Sequence, residues 1–324
     1  METGRTINLN SPELREMEAK GRFHLRAFLL SQEMADIMMR SADFIQELRD
    51  DLGTRFRLAC EFMAYDLEDA FSASTDALSR CGFFPYAELA YEFDAFQTLL
   101  LQGSFKSTRD SMRRMLDVCL TAVVYLLDLK DEEEARKWVA SEVKTTMVAG
   151  NIRHLKKHPD VAVLDERFKF TDNLHSLYGR LSNYCHSRGV EFSTGIRKGS
   201  QMDFNGIIMR GFNANECRKV MEEFVAVVGR LAILLVIQNV GLLAPVDKDA
   251  KWGLSGPISG FFYEHQTQRL FEVMPKEYAE YFKELAALDS RVKSLREYLD
   301  SLPDVTEAEM QQQADEINEV MRNG

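Results

Sequence analysis

Residues 105 to 129 read FKSTRDSMRRMLDVCLTAVVYLLDL. The first half is basic, with Lys106, Arg109, Arg113 and Arg114; the second half, CLTAVVYLL, is apolar on nearly every side. No Gly or Pro interrupts it, so the spacing predicts one long helix. A helix that is apolar all round has to be buried, which makes this segment a core element. Arg109 and Arg113, four apart, share a face. That face is read as exposed and paired with Asp110 and Asp117, or as a flank that meets a phosphate.

Working outward, the same helical period recurs. Ser11-Pro12 is a helix start. Phe28, Ile37, Met38, Phe44, Ile45, Leu48 and Leu52 form an apolar stripe, with Gly53 read as its stop and Thr54 as the next cap. The second helix carries Phe56 through Leu78. Pro85 opens a third, which Gly103 closes. Beyond the central segment, Asp131 to His158 reads as one polar helix stopped by Pro159, and Val163 to Ser187 as another. Gly189 to Phe212 is glycine-rich and reads as a loop or short β-hairpin. Asn213 to Glu216 is a capping box for a core helix, Glu216 to Leu243. Ala244 to Gly260 reads as a linker.

The last part has a different texture. Tyr281, Leu285, Leu288, Val292, Leu295, Leu299 and Leu302 alternate spacings of four and three, a heptad seam. Pro303 ends it, and Thr306 to Glu309 cap a final helix bearing Met310, Ala314, Ile317 and Val320. The expected fold is all-α: a helical region over 1–104, a bundle over 105–245, and a linker with a C-terminal helical hairpin arm over 246–324. The seam is too apolar to leave in water. It predicts a homodimer, or a protein partner bound through the C-terminal helix.

Bulk properties narrow the function. The 324 residues carry a formal charge of −11, which opposes general attraction to nucleic acid or anionic membrane but leaves room for a local basic site. The five cysteines form no C-x-x-C pair, and they read as free thiols in a reducing compartment. The first residues lack the apolar core of a signal peptide. Arg230, Gln238 and Asn239 interrupt the most apolar window, Phe224 to Ala244, so no membrane span is expected. The reading is cytoplasmic.

One segment carries a pattern for chemistry: Ser176 to Gly189, SLYGRLSNYCHSRG, with Arg180 and His186 six apart. On a helical wheel Phe170, Leu174, Leu177, Leu181 and Tyr184 gather on a core face. His175, Ser182 and His186 lie almost opposite, and Arg180 is about 120° from His186. An arginine can hold a phosphate through its planar fork, and a histidine can move a proton near neutral pH. The bland alternative is a solvated face with a histidine at a helix C-terminus, where the dipole favours it.

The segment resembles a known family. An arginine followed a few residues later by histidine is the mark of the HEPN superfamily of small helical domains, many of them ribonucleases of bacterial toxin and anti-phage systems. Leu177, Tyr178, Leu181, Ser182, Tyr184 and His186 look like a HEPN-like branch with an Arg-rich helix upstream. The resemblance covers about Phe105 to Ala244 and rests on short motifs. It implies a HEPN-like core and metal-independent RNA cleavage by the 2′-hydroxyl, with Arg180 and His186 catalytic and Arg109, Arg113 and Asn183 binding substrate. No cofactor is implied. Nuclease members usually have a polar residue after the arginine; Leu181 here puts catalysis, more than fold, in doubt. The rival is a non-catalytic helical interaction protein in which this core is a scaffold.

Other candidates are weaker. Lys144 to His158 is a basic stretch without aromatics to stack on bases, read as a basic helix end. His154 and His158 lack the glutamate and third ligand of a metal site. No phosphate-binding loop, dinucleotide fingerprint or serine nucleophile elbow is present.

Overall fold

The computed structural model describes residues 24–71, 81, 83–127, 130–144, 147–186, 212–255 and 260–323. Among these there is no strand; the elements are helices joined by short turns. The described part opens with α1 (His24–Glu47) and α2 (Asp51–Glu61), which runs through a π-helical turn (Phe62–Asp66) into α3 (Leu67–Ala70). Then come α4 (Phe84–Leu101), α5 (Phe105–Leu126), α6 (Glu132–Val139), α7 (Val148–Leu155), α8 (Pro159–Phe168) and α9 (Phe170–Cys185). The remainder is α10 (Ala214–Gln238), α11 (Lys248–Trp252), α12 (Glu264–Val273), α13 (Lys276–Leu288), α14 (Ser290–Ser301) and α15 (Glu307–Asn323). The glycine-rich stretch read as a loop or hairpin lies, but for Phe212, outside the described residues.

The core is built as the central segment requires. Every residue of α5 from Cys119 to Tyr125 is buried. α4 lies along it, and α10 crosses it with a run buried from Leu231 to Ile237. Phe56, Phe93, Phe96 and Phe224 interlock where α2, α4 and α10 meet, the rings of Phe96 and Phe224 stacking at 4.0 Å. Asn151 of α7 donates to the Thr121 hydroxyl at 2.9 Å, a buried polar link between α7 and α5.

Several expected boundaries moved, each for a local reason. Gly53 does not stop a helix. Asp50 caps α2 by accepting from the Gly53 amide at 2.9 Å, and a Cβ on Gly53 would stand 2.2 Å from the Leu48 carbonyl oxygen. The glycine is there so that the incoming chain can pass close. The helix expected over Asp131 to His158 is two, α6 and α7, and Ser141 after α6 has φ 61°. The helix expected over Val163 to Ser187 is also two, because Lys169 takes a left-handed conformation, φ 53°, between α8 and α9. The heptad seam breaks at Asp289, whose carboxylate accepts from the Arg291 amide at 2.7 Å and starts α14 anew.

After the break, Val292 and Leu299 are buried within the same chain, and Arg296 donates to the Leu243 carbonyl at 2.8 Å. α12 is tied to the π turn: Arg269 Nη1 lies 3.1 Å from both Asp66 oxygens, and Gln266 donates to Asp66 and Asp69. Among the described residues no helix is long and apolar enough to cross a membrane.

Candidate functional site

α9 carries the motif, and α5 and α10 face it. The spacing of the core residues settles how it sits: Phe170, Leu174, Leu177 and Leu181 are all buried, as the wheel places them. The polar residues between them are therefore held at the edges of the α9–α5 contact. Tyr178 accepts from Arg113 Nη1 at 2.9 Å and donates to Asp117 at 3.2 Å. Arg113 also reaches Asp117 at 3.0 Å and Asp110 at 3.2 Å. Two turns along α9, the Cys185 thiol donates to Asp110 at 3.1 Å. Asp110 is shared with Arg114, which donates to Glu92 Oε1 at 2.5 Å.

Burial alone would raise the Asp110 carboxyl. The Cys185 hydrogen bond and the two arginines outweigh it and hold the group below the usual carboxylate range. The same burial, with Asp110 opposite, pushes the Cys185 thiol up to about 11, so it is a hydrogen-bond donor and not a nucleophile. Asp117 is raised by burial against the pull of Arg113.

Arg109 is the correction. It was read as one of an exposed basic pair, yet it has 0% exposure. Its Nε donates to Glu223 at 2.6 Å, Nη2 lies 3.5 Å from Glu216, and its guanidinium stacks over Tyr184 at 4.0 Å. Its two terminal nitrogens make no hydrogen bond among the described residues. In this arrangement Arg109 offers no surface to a substrate. It serves as counter-ion to a glutamate inside α10. Arg113, half-buried, is spent on Asp110, Asp117 and Tyr178, the acid pairing that the sequence offered as the alternative.

Arg180 and His186 stay in solvent. The Arg180 side chain is 52% exposed, and its Nε stands 3.8 Å from Glu223, so one carboxylate faces both Arg109 and Arg180. His186 is exposed one residue past the end of α9, its amide donating to the Ser182 carbonyl at 3.0 Å. Asn183 is half-buried. Comparison with family models, with curated proteins and with solved structures finds no match.

Glu223 is the residue that sequence reading missed, although a signal was available. An acid on a helix as apolar as α10 needs a cation, and Arg109 of α5 supplies it. A cavity of about 640 Å³ was also not foreseen; Asp247, Asp249, Tyr263, Glu264 and His265 line it. Tyr263 donates to Asp249 at 2.8 Å, and burial with the nearby carboxylates pushes its phenol up to about 12. In the basic stretch, Arg153, Lys156 and Lys157 are exposed while Asn151 and Leu155 are buried. Among the described residues no group of three His, Cys, Asp or Glu could hold a metal ion.

Proposed function

We propose that this chain is a helical interaction protein whose middle bundle, HEPN-like by its motif, is a scaffold. One observation carries the reading: Arg109 is wholly enclosed and paired with Glu223. The neighbouring polar groups of α5 and α9 follow the same course. Arg113, Arg114, Tyr178 and Cys185 all bond to Asp110, Asp117 or Glu92. A phosphate entering between α5 and α9 would meet Glu223 and Asp110, with Arg180 at the rim as the exposed guanidinium. The phrase that resembles a catalytic motif works here as a clasp joining α9 to α5 and α10. The free thiols fit a reducing, cytoplasmic setting. The homodimer is not part of the proposal, since the uninterrupted seam it required is broken at Asp289.

A second reading is kept for a specific reason. Arg180 and His186 remain exposed on the last turns of one helix. A metal-independent ribonuclease of a bacterial defence or toxin system would use Arg180 to hold the scissile phosphate. His186 would move the proton of the attacking 2′-hydroxyl. The test is incubation of micromolar protein with structured and single-stranded RNA, with and without EDTA. The scaffold reading expects intact RNA. Cleavage in EDTA by the wild type, lost in His186→Ala with no change in melting temperature, hands the conclusion to the nuclease.

A further inference from the structure

The chain is firmly held up to Val305 and lightly held after it. Leu299 is buried, Lys251 donates to the Leu302 carbonyl at 2.7 Å and stands 2.9 Å from Asp304, and the Val305 amide donates to the Ala250 carbonyl at 2.8 Å. From Thr306 onward no described side chain is buried. Thr306 and Glu309 start α15 by bonding to each other, so the helix needs no other element to begin. Gln311 to Asp315 and Gln312 to Glu316 are bonds within the helix as well.

One side chain ties α15 to the body. Gln313 accepts from the Leu254 amide at 2.8 Å and donates to the Trp252 carbonyl at 3.2 Å. Met310 lies against the glycine between them. A Cβ on Gly253 would stand 2.5 Å from Gln313 Oε1 and 3.2 Å from Met310 Cγ, and Gly253 has φ 60°. The seat exists because position 253 has no side chain. Gln313 thus closes the end of α11 with an amide that a neighbouring helix brings to it. Two hydrogen bonds at a surface are worth little net, since water replaces them and a glutamine loses rotamer freedom in making them. Segments with few buried apolar contacts open locally at low cost.

We propose that α15 is a detachable strap, hinged at Val305 and Thr306, which closes over the Trp252–Leu254 turn and leaves it while the rest of the protein stays folded. Docked, it occupies the Leu254 N–H and the Trp252 carbonyl and shields Trp252. Released, it leaves the turn with a backbone donor and a backbone acceptor facing solvent beside Trp252 and Leu254. The device is independent of both readings of the function.

The experiment reads amide hydrogen exchange residue by residue on the full chain, on Gln313→Ala and on a chain ending at Pro303. In the wild type the Leu254 amide should exchange much faster than the amide of Leu231 in the buried run of α10, yet more slowly than in the other two proteins. Gln313→Ala should speed it by about threefold to tenfold, the effect of one or two such hydrogen bonds on an opening equilibrium. The chain has two tryptophans, and Trp138 is buried, so it serves as the constant reference. Acrylamide quenching of Trp252 should rise in both altered proteins. Urea midpoints should agree for all three. Exchange at Leu254 as slow as at Leu231, or unchanged by Gln313→Ala, overturns the proposal. So does a lower urea midpoint for the chain ending at Pro303, which would make α15 a fixed part of the fold.

Discussion

Arg109 and Glu223 form the most consequential pair in the molecule, 2.6 Å apart with the arginine fully enclosed. Removing either partner leaves a buried charge without its complement. Arg109→Met and Glu223→Leu should each cost about 3–5 kcal/mol in urea unfolding, and the double variant should cost less than either. Additive costs would show that the pair is not coupled. Asp66 makes a different prediction. Burial, opposed by Arg269 and Gln266, pushes its carboxyl from 3.8 to about 6. A raised carboxyl binds its proton more tightly in the folded state. Its contribution is therefore complete below about pH 3.8 and lost as pH rises through about 6. Asp66→Asn should flatten the stability profile across that window, by on the order of 2 kcal/mol; equal slopes for both proteins would sink the idea. Of the site, the core face of α9 was legible, because Phe170, Leu174, Leu177 and Leu181 follow the helical period. The fate of Arg109 was not. Its partner lies 114 positions away on another helix, and no local period reports such a pairing.

At the scale of elements, what the sequence conveyed was the existence of helices, and what it hid was where they break. α4 and α5 start and stop close to where Pro85, Gly103 and the apolar run place them. The breaks at Lys169 and Asp289 were illegible for a physical reason. A single left-handed residue, or one capping carboxylate, interrupts a helix without disturbing the apolar spacing on either side. Asp289→Ala should remove a cap and cost about 1 kcal/mol in a thermal melt. The Arg291 hydrogen bond holds this carboxyl below its usual range. The stability it gives is present above that range and fades as pH falls through it. Gly53→Ala tests the other surprise. Alanine inside a helix normally gains about 1 kcal/mol over glycine. Here the methyl would meet the Leu48 carbonyl at 2.2 Å, so a loss of about 1–3 kcal/mol is expected. A gain would mean that the approach of the chain is not fixed.

For the whole molecule, the C-terminal part is a cover at one end and an arm at the other. A chain ending at Pro275 loses the buried Tyr278, Phe282, Val292 and Leu299, each contributing about 1.5–3 kcal/mol. It should unfold at much lower urea, whereas a chain ending at Pro303 should match the full one. Equal midpoints for all three would place the stabilising contacts elsewhere. The salt link from Asp66 to Arg269 also has a meaning in time. Its partners are 203 positions apart. At about 5–20 residues per second, a ribosome needs roughly 10–40 s to travel between them. Through that interval the nascent π turn holds a carboxylate in water that the finished protein encloses. The π turn cannot gain its Arg269 and Gln266 partners until most of the chain has been made, and a nascent chain stalled before Gln266 should stay open to protease at Phe62–Asp66.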